Sequence, residues 1–407
     1  MITESQIQNN ILKSKASWKT VRLNEVCEID PSKRELNGVD KNMEVSFGMM
    51  ADLGEHTRKF CPSETKKISE VTKGGYSYFR ENDVLLAKMT PCFENGKSGL
   101  ALNLKNGIGF GSTEFYVLRN TNKILPDFIY YIVSSDKFLG EGKHSLVGTT
   151  GRRRLLKQYV ESYTFQLPPL KEQQQIASLF QSIESAIEQV EGQEGNLRKL
   201  CKSLIDEFVS NTPTFGNLLK GKILKQVTYT QATDKLMRKI DPVSYGIERI
   251  VAGENLQSED FKIRDWGTVG KDFLGPAFHV LFKPGDILYG SRRTYLRKVA
   301  LADFEGVCAN TTYVIQANEK LLLQGLLKHI MLSERFTQYS ISVSKGSTNP
   351  YINWKDLDDF TFQIPDIETQ KIMVKVLDEI LDLAEKSREQ KETLKKLKQK
   401  LLNEILG

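Results

Sequence analysis

An apolar stripe that occurs twice constrains this chain more than any other feature. After Phe165-Gln166-Leu167-Pro168-Pro169-Leu170, the residues Ile176, Leu179, Ile183, Ala186, Val190, Gln193, Leu197, Leu200 and Leu204 follow in alternating steps of three and four. That is the seam spacing of a coiled coil, with polar residues on the other faces. Two prolines end a strand. The second suits the place just before a first helical turn, where its missing N–H is not needed. The arrangement returns 197 residues on, where Phe362-Gln363-Ile364-Pro365-Asp366-Ile367 precedes Met373, Val376, Ile380, Leu383, Ser387, Gln390, Leu394, Leu397 and Leu401. Every seam position aligns without a gap, including the polar centre Gln193/Gln390. The first helix leads from one globular segment into the next and the second leads out of that one, so antiparallel pairing is the simplest closure.

The duplication extends into the globular segments. Val45-Ser46-Phe47-Gly48 reads as returning at Val243-Ser244-Tyr245-Gly246. Residues 79–86 return at 282–289 as a polar turn into a buried strand, and Phe115-Tyr116-Val117-Leu118 returns at Thr312-Tyr313-Val314-Ile315. A helix is expected from Pro126, with Phe128, Ile129, Ile132 and Val133 on one face. Its end, Ser135-Asp136-Lys137-Phe138, matches Ser333-Glu334-Arg335-Phe336. A loop at 148–154 (346–351 in the second copy) and a strand at 163–167 (360–364) lead into each long helix. Strands and one helix without regular βαβ alternation predict an α+β globule. The expected layout is a leader (1–17), a globular segment (18–168), a long helix (169–211), a second globular segment (212–365) and a second long helix (366–407). Gly192 and Gly195 weaken the first helix near its centre, each by roughly 1 kcal/mol of propensity. Residues 51–75 and 249–280 do not match, so one frame carries two different surfaces. That is what bipartite recognition needs.

Charge placement supports a polyanionic partner. The chain carries +6 overall. The two long helices are nearly neutral, so the basic excess lies in the globular segments. The five cysteines are scattered without a Cys-x-x-Cys and the four histidines make no ligand pair, which argues against disulfides or a zinc cage. No apolar run approaches a membrane span and Met1-Ile2-Thr3-Glu4 does not open a signal peptide, so a cytoplasmic location is expected.

Catalytic patterns are thin. Asp127 with Glu141 and Lys143 fits a loose metal-dependent nuclease pattern, but Asp127 falls where a helix first turn favours an acid, and the second copy lacks it. Gly96-Lys97-Ser98 lacks the first glycine of a phosphate loop. Asn349-Pro350-Tyr351 is similar to the adenine methyltransferase loop but lacks its second proline, and no cofactor loop accompanies it. No catalytic residue, metal ligand or cofactor is expected in this chain.

The parts together resemble the specificity (S) subunit of type I restriction-modification enzymes. The carriers are Trp18-x-x-Val21-x-Leu23-x-Glu25-Val26, Asp83-Val84-Leu85, Gly148-Thr149-Thr150-Gly151-Arg152, the run at 167–176, and Asp265-Trp266-Gly267 with the stretch 246–253. The resemblance implies two tandem target recognition domains of mixed α/β structure, each reading half of a split double-stranded DNA site. It implies that the helices form an antiparallel coiled coil docking two methyltransferase subunits, with restriction subunits outside. S-adenosylmethionine, ATP and Mg are then expected on those partners, with adenine the methylated base. The alternatives are an assembly scaffold without DNA readout and the nuclease above.

Given a DNA partner, Arg152, Arg153 and Arg154 with Thr149 and Thr150 suit phosphate or guanine contact in the first segment. Lys345, Ser347, Thr348 and Asn349 occupy the matching loop of the second. Lys88 and Thr90, and Tyr289, Ser291, Arg292 and Arg293, are further candidates just past a strand. The helix interface is assigned to Ile176, Leu179, Ile183, Val190, Leu197 and Leu204 with Met373, Val376, Ile380, Leu394, Leu397 and Leu401.

A helix of about 36–40 residues spans roughly 55–60 Å at about 1.5 Å per residue, long enough to set the gap between two half-sites. Adding one heptad to both helices keeps the seam in phase and adds about 10 Å, or roughly three base pairs. Methylome mapping of that variant is expected to show both half-sequences kept and the gap between them lengthened. An unchanged gap would refute the ruler.

Overall fold

The computed structural model describes residues 14–149, 151–272 and 275–407. The leader's first thirteen positions, Thr150, Phe273 and Leu274 lie outside them. Two compact units form, one from residues 1–190 with 389–407, the other from residues 191–388. Each long helix therefore gives one half to each unit.

In the first unit, Lys19–Arg22 pairs antiparallel with Thr164–Leu167, joining the chain's opening to the strand before the long helix. A five-stranded sheet orders Cys27–Ile29, Phe115–Asn120, Val84–Ala87, Ser98–Ala101 and Lys59–Phe60. A four-stranded sheet orders Glu64–Lys67, Glu44–Gly48, Ile108–Gly111 and Ser77–Arg80, with Glu44–Gly48 parallel to Ile108–Gly111. Val84–Ala87 is central and buried on both faces, which is why it reads as an unbroken apolar run. The second unit repeats the plan. Lys225–Thr228 pairs with Thr361–Ile364, one sheet centres on Thr312–Ala317 and Ile287–Gly290, and another holds Arg249–Val251 parallel to Gly306–Ala309. The class is α+β, as the element pattern predicts.

Each unit repeats the same hydrogen bonds, not merely the same layout. Gln173 is fully buried at the start of the first long helix. Its Oε1 accepts from Leu125 N–H (2.9 Å), and its Nε2 donates to the carbonyls of Lys123 (3.1 Å) and Pro168 (2.9 Å). Gln370 does the same in the second unit, accepting from Leu323 N–H (3.0 Å) and donating to Leu321 (2.8 Å) and Pro365 (3.0 Å). One amide thus ties the long helix to the N-cap of the short helix Pro126–Val133 or Gln324–Ile330. Ser135 and Ser333 accept from Phe138 and Phe336 N–H respectively. Here the sequence reading needs correction. These serines cap the start of further helices, Asp136–Lys143 and Glu334–Ser342, and do not lie at the end of the preceding one.

A second correction concerns the proposed return of strand Glu44–Gly48 at residues 243–246. Asp241 caps Pro242 there, the segment Pro242–Tyr245 is one helical turn, and Gly246 closes it in the left-handed region (φ 77°). The true counterpart is Arg249–Val251, with the same parallel pairing.

The long helices run Leu170–Phe208 and Ile367–Leu406, the first uninterrupted through Gly192 and Gly195. In the first unit Ile176, Leu179, Phe180 and Ile183 share a core with Leu401, Leu402 and Ile405. In the second, Cys201, Ile205 and Phe208 share one with Met373, Leu377 and Ile380. Early residues of one helix meet late residues of the other in both cases, which is antiparallel pairing. The strict seam holds only in part. Leu197, Leu204, Val376 and Leu394 are half-buried, and Leu200, Leu383 and Leu397 are exposed. A straight helix drifts about 20° per heptad against a 3.5-residue repeat. Each helix must also face a globular core, so the buried stripe moves onto Phe180, Cys201, Ile205, Leu377, Leu402 and Ile405.

Gln173→Leu or Gln370→Leu would leave one N–H and two carbonyls without their partner in a buried site. Each change is expected to cost about 2–4 kcal/mol. Urea unfolding followed by hydrogen exchange should place the loss in the unit carrying the change. A loss below about 1 kcal/mol would contradict the clamp.

Candidate nucleic-acid interface

The sequence candidates of the first unit fall into two groups far apart in the chain, and the structure brings them together. Leu146–Thr149 and Arg152–Leu155 form an antiparallel hairpin where a loop was expected. Gly148 and Gly151 both take positive φ (127° and 83°), which the tight reversal requires. The hairpin clasps the segment just past Val84–Ala87. Leu155 N–H donates to Lys88 O (2.7 Å), Thr90 N–H to Arg153 O (2.9 Å), and Arg153 N–H to Thr90 Oγ1 (2.9 Å). Tyr116 Oη donates to Leu155 O (2.8 Å), and burial pushes its phenol up to about 12, so it stays a donor. The ammonium of Lys88 lies over the Tyr116 ring, 5.2 Å from its centroid.

The three arginines are not equivalent. Arg153 donates to Glu94 (2.9 Å) and Arg154 is ion-paired with Glu114, so both guanidiniums are held and partly neutralised. Arg152 is exposed, and its side chain has no hydrogen-bond or ion-pair partner among the described residues. It is the cation of this clasp most available to a polyanion. Thr149 is exposed beside it.

The second unit repeats the clasp with other side chains. Lys345 and Tyr351 exchange backbone hydrogen bonds (2.8 and 2.9 Å), Ile352 N–H donates to Ser291 O (2.9 Å), and Tyr313 Oη donates to Ile352 O (2.6 Å). Arg293 N–H donates to Pro350 O (2.7 Å) and its Nε–H to Asn349 Oδ1 (3.2 Å). Lys345 pairs with Asp356 (2.9 Å), whose carboxyl that contact holds below its usual range. Arg292, Ser347 and Thr348 are exposed. Sequence reasoning did not single out Tyr295, or Tyr351 as an exposed ring; both are about half-exposed beside the arginines. An aromatic next to a basic loop was the available signal.

Three candidates are buried. Tyr289 is buried, its ring 5.9 Å from that of Phe336, because Ile287–Gly290 is a central strand with neither face open. Thr90 and Ser291 are buried and spend their hydroxyls locally, Ser291 Oγ donating to Thr311 O (2.6 Å). The nuclease pattern also dissolves. Asp127 is ion-paired with Arg58 and accepts from Gln181 Nε2 (2.9 Å), while Glu141 and Lys143 are exposed on another helix. Among the described residues no group of three His, Cys, Asp or Glu could hold a metal, and no helix is long and apolar enough to cross a membrane.

A family profile described as "Type I restriction modification DNA specificity domain" matches residues 15–196 and again 219–396. The type I restriction enzyme EcoEI specificity subunit of Escherichia coli is 33% identical over 177 residues, covering 43% of this chain and 29% of that subunit. The match thus spans under a third of that relative's length. The MjaVIII specificity subunit of Methanocaldococcus jannaschii is 25% identical over 412 residues, covering 97% of this chain and 93% of that one. Among solved structures, a chain from a type I R-M system superposes with a TM-score of 0.57 at 19% identity, covering 95% and 97% of the two chains. The type I S subunit from M. genitalium gives 0.53 at 12% identity and 96% of each. At these identities the structures speak for the fold alone.

Arg152→Ala is expected to weaken duplex DNA binding about tenfold and to lower the salt slope by about one, as loss of a free phosphate or guanine contact would. Arg153→Ala should weaken it less, because Glu94 already holds that guanidinium. Fluorescence anisotropy across a salt series decides it; equal effects would refute the ranking.

Proposed function

Because the chain belongs to the type I restriction-modification DNA specificity domain family, we propose that it is a specificity subunit reading a split double-stranded DNA site. The observation that carries this reading is the repeated clasp. The same backbone and tyrosine hydrogen bonds hold both copies, while the exposed side chains differ. A rigid frame with two different basic tips suits two half-sequences read through separate contacts. Arg152 with Lys88 in the first unit, and Arg292 with Ser347 and Thr348 in the second, are the side chains best placed to reach DNA. The chain supplies recognition and performs no chemistry of its own.

The long helices serve assembly in this reading. Their exposed leucines (Leu200, Leu383 and Leu397) offer apolar surface to two methyltransferase subunits, with restriction subunits joining beyond. S-adenosylmethionine, ATP and Mg belong to those partners. All five cysteines are unpaired, which suits the reducing cytoplasm.

Co-expression with the cognate methyltransferase subunit, followed by mapping of methylated positions in host DNA, tests this. A motif of two short halves around an unread gap is expected. Replacing residues 249–280 with those of a relative should change one half only. A contiguous motif, or methylation independent of this chain, would refute the proposal.

A further inference from the structure

The duplication provides an internal control for packing, and at one place the copies differ in volume. In the first unit Tyr131 is buried with its ring 4.7 Å from that of Phe180, and the buried Lys398 pairs with Glu184 (2.6 Å). By the repeat, the second unit has His329 for Tyr131, Leu377 for Phe180, Cys201 for Lys398 and Leu381 for Glu184. Each replacement except the last is clearly shorter. A cavity of about 170 Å³ remains, walled by Cys201, Ile205, Phe261, His329, Leu332 and Leu381.

Its chemistry is specific. His329 is almost fully buried, which lowers its pKa to about 4 and keeps the ring neutral. Phe261 meets the ring edge-on at 4.9 Å. Cys201 Sγ lies 3.8 Å from Nδ1, and burial raises that thiol to about 11, so it stays protonated and can donate. The other ring nitrogen, Nε2, faces the helix Ile367–Leu406. The nearest carboxylate, Asp378, is 4.0 Å away and engaged by Lys328 (2.7 Å). Around the cavity stand Arg198, Lys199 and Lys202 against a single acid, Glu259. Arg198, Lys202 and Glu259 have ion-pair partners, whereas Lys199 has none among the described residues.

The volume is below the roughly 300 Å³ at which small-molecule pockets begin, and it suits one large side chain of the kind that anchors a protein interface. We propose that this cavity is the socket for an aromatic side chain on a methyltransferase-type partner whose neighbouring carboxylates meet Lys199. This rests on the reading that the chain assembles with two such subunits. In the first unit Tyr131, Phe180 and Lys398 occupy the corresponding positions, so one partner copy is held by an anchor that the other does not have.

The full chain is titrated with its cognate methyltransferase subunit, with complexes followed by sedimentation velocity and folding by thermal unfolding. Cys201→Phe fills the cavity, and Lys199→Glu with Lys202→Glu reverses its rim without touching the core. Each is expected to weaken one of the two binding events at least tenfold and leave the other at its parental value. Should Cys201→Phe lower the unfolding temperature, the rim variant decides alone. Two copies bound with parental affinity by the rim variant would overturn the socket. Equal weakening of both events would overturn the asymmetry on which it stands. A parent chain that binds no methyltransferase subunit would overturn the assembly reading itself, and the socket with it.

Discussion

The structure depends first on one buried amide per unit. A long amphipathic helix is marginal on its own and must be fixed in direction and rotation where it leaves its globule. Gln173 and Gln370 do this with three hydrogen bonds each, to the turn before a short helix and to the carbonyl of the preceding proline. Leucine would fill the same space but would specify nothing about rotation. The polar residue accepts the cost of burial and gains a unique geometry, because every donor and acceptor around it has one partner.

Other buried polar groups show how the copies diverged without losing the frame. Asp83 and Asp286 are equivalent and both are fully buried. Arg119 neutralises the first, from the neighbouring strand Phe115–Asn120. At the matching place the second unit has Gln316, which donates to Asp286 (2.8 Å), and the guanidinium comes instead from Arg238. The carboxylate is required because it accepts from the turn's N–H groups, Arg80 in one copy and Lys283 in the other (both 2.7 Å). The cation that accompanies it can enter from a different direction. Scaffold positions answer to backbone bonding, and that is why they survive while surfaces change.

The same distinction separates what was legible in the sequence from what was not. Both long helices, the buried strand after Asp83, the helix from Pro126 and the pairing of the copies follow from proline placement and periodicity. The return at residues 243–246 misled because Val-Ser-Tyr-Gly has the composition of a strand, while Asp241 and Pro242 make it a helical turn. Leu200, Leu383 and Leu397 fit a heptad but face solvent, since a 3.5-residue template ignores the cores on either side of the helix. At the candidate interface, the basic loops and the residues they clasp were both visible. Their contact was not, because it is made by backbone groups about 60 residues apart. Nor did sequence distinguish Arg152 from its neighbours, whose restraint comes from Glu94 and Glu114 on other segments.

The way each long helix is divided between the units has a consequence for the order in which the protein is made. Residues 191–388 leave the ribosome as one unbroken stretch, so the second unit possesses all its parts as soon as they emerge. The first unit does not. Its core includes Leu401, Leu402 and Ile405, and its half-buried Glu184 waits for Lys398. Until then Ile176, Phe180 and Ile183 lack that part of their cover. Domains of a growing chain ordinarily close in the order of synthesis. Here the half translated first is the half completed last, and residues 389–407 act as its fastening.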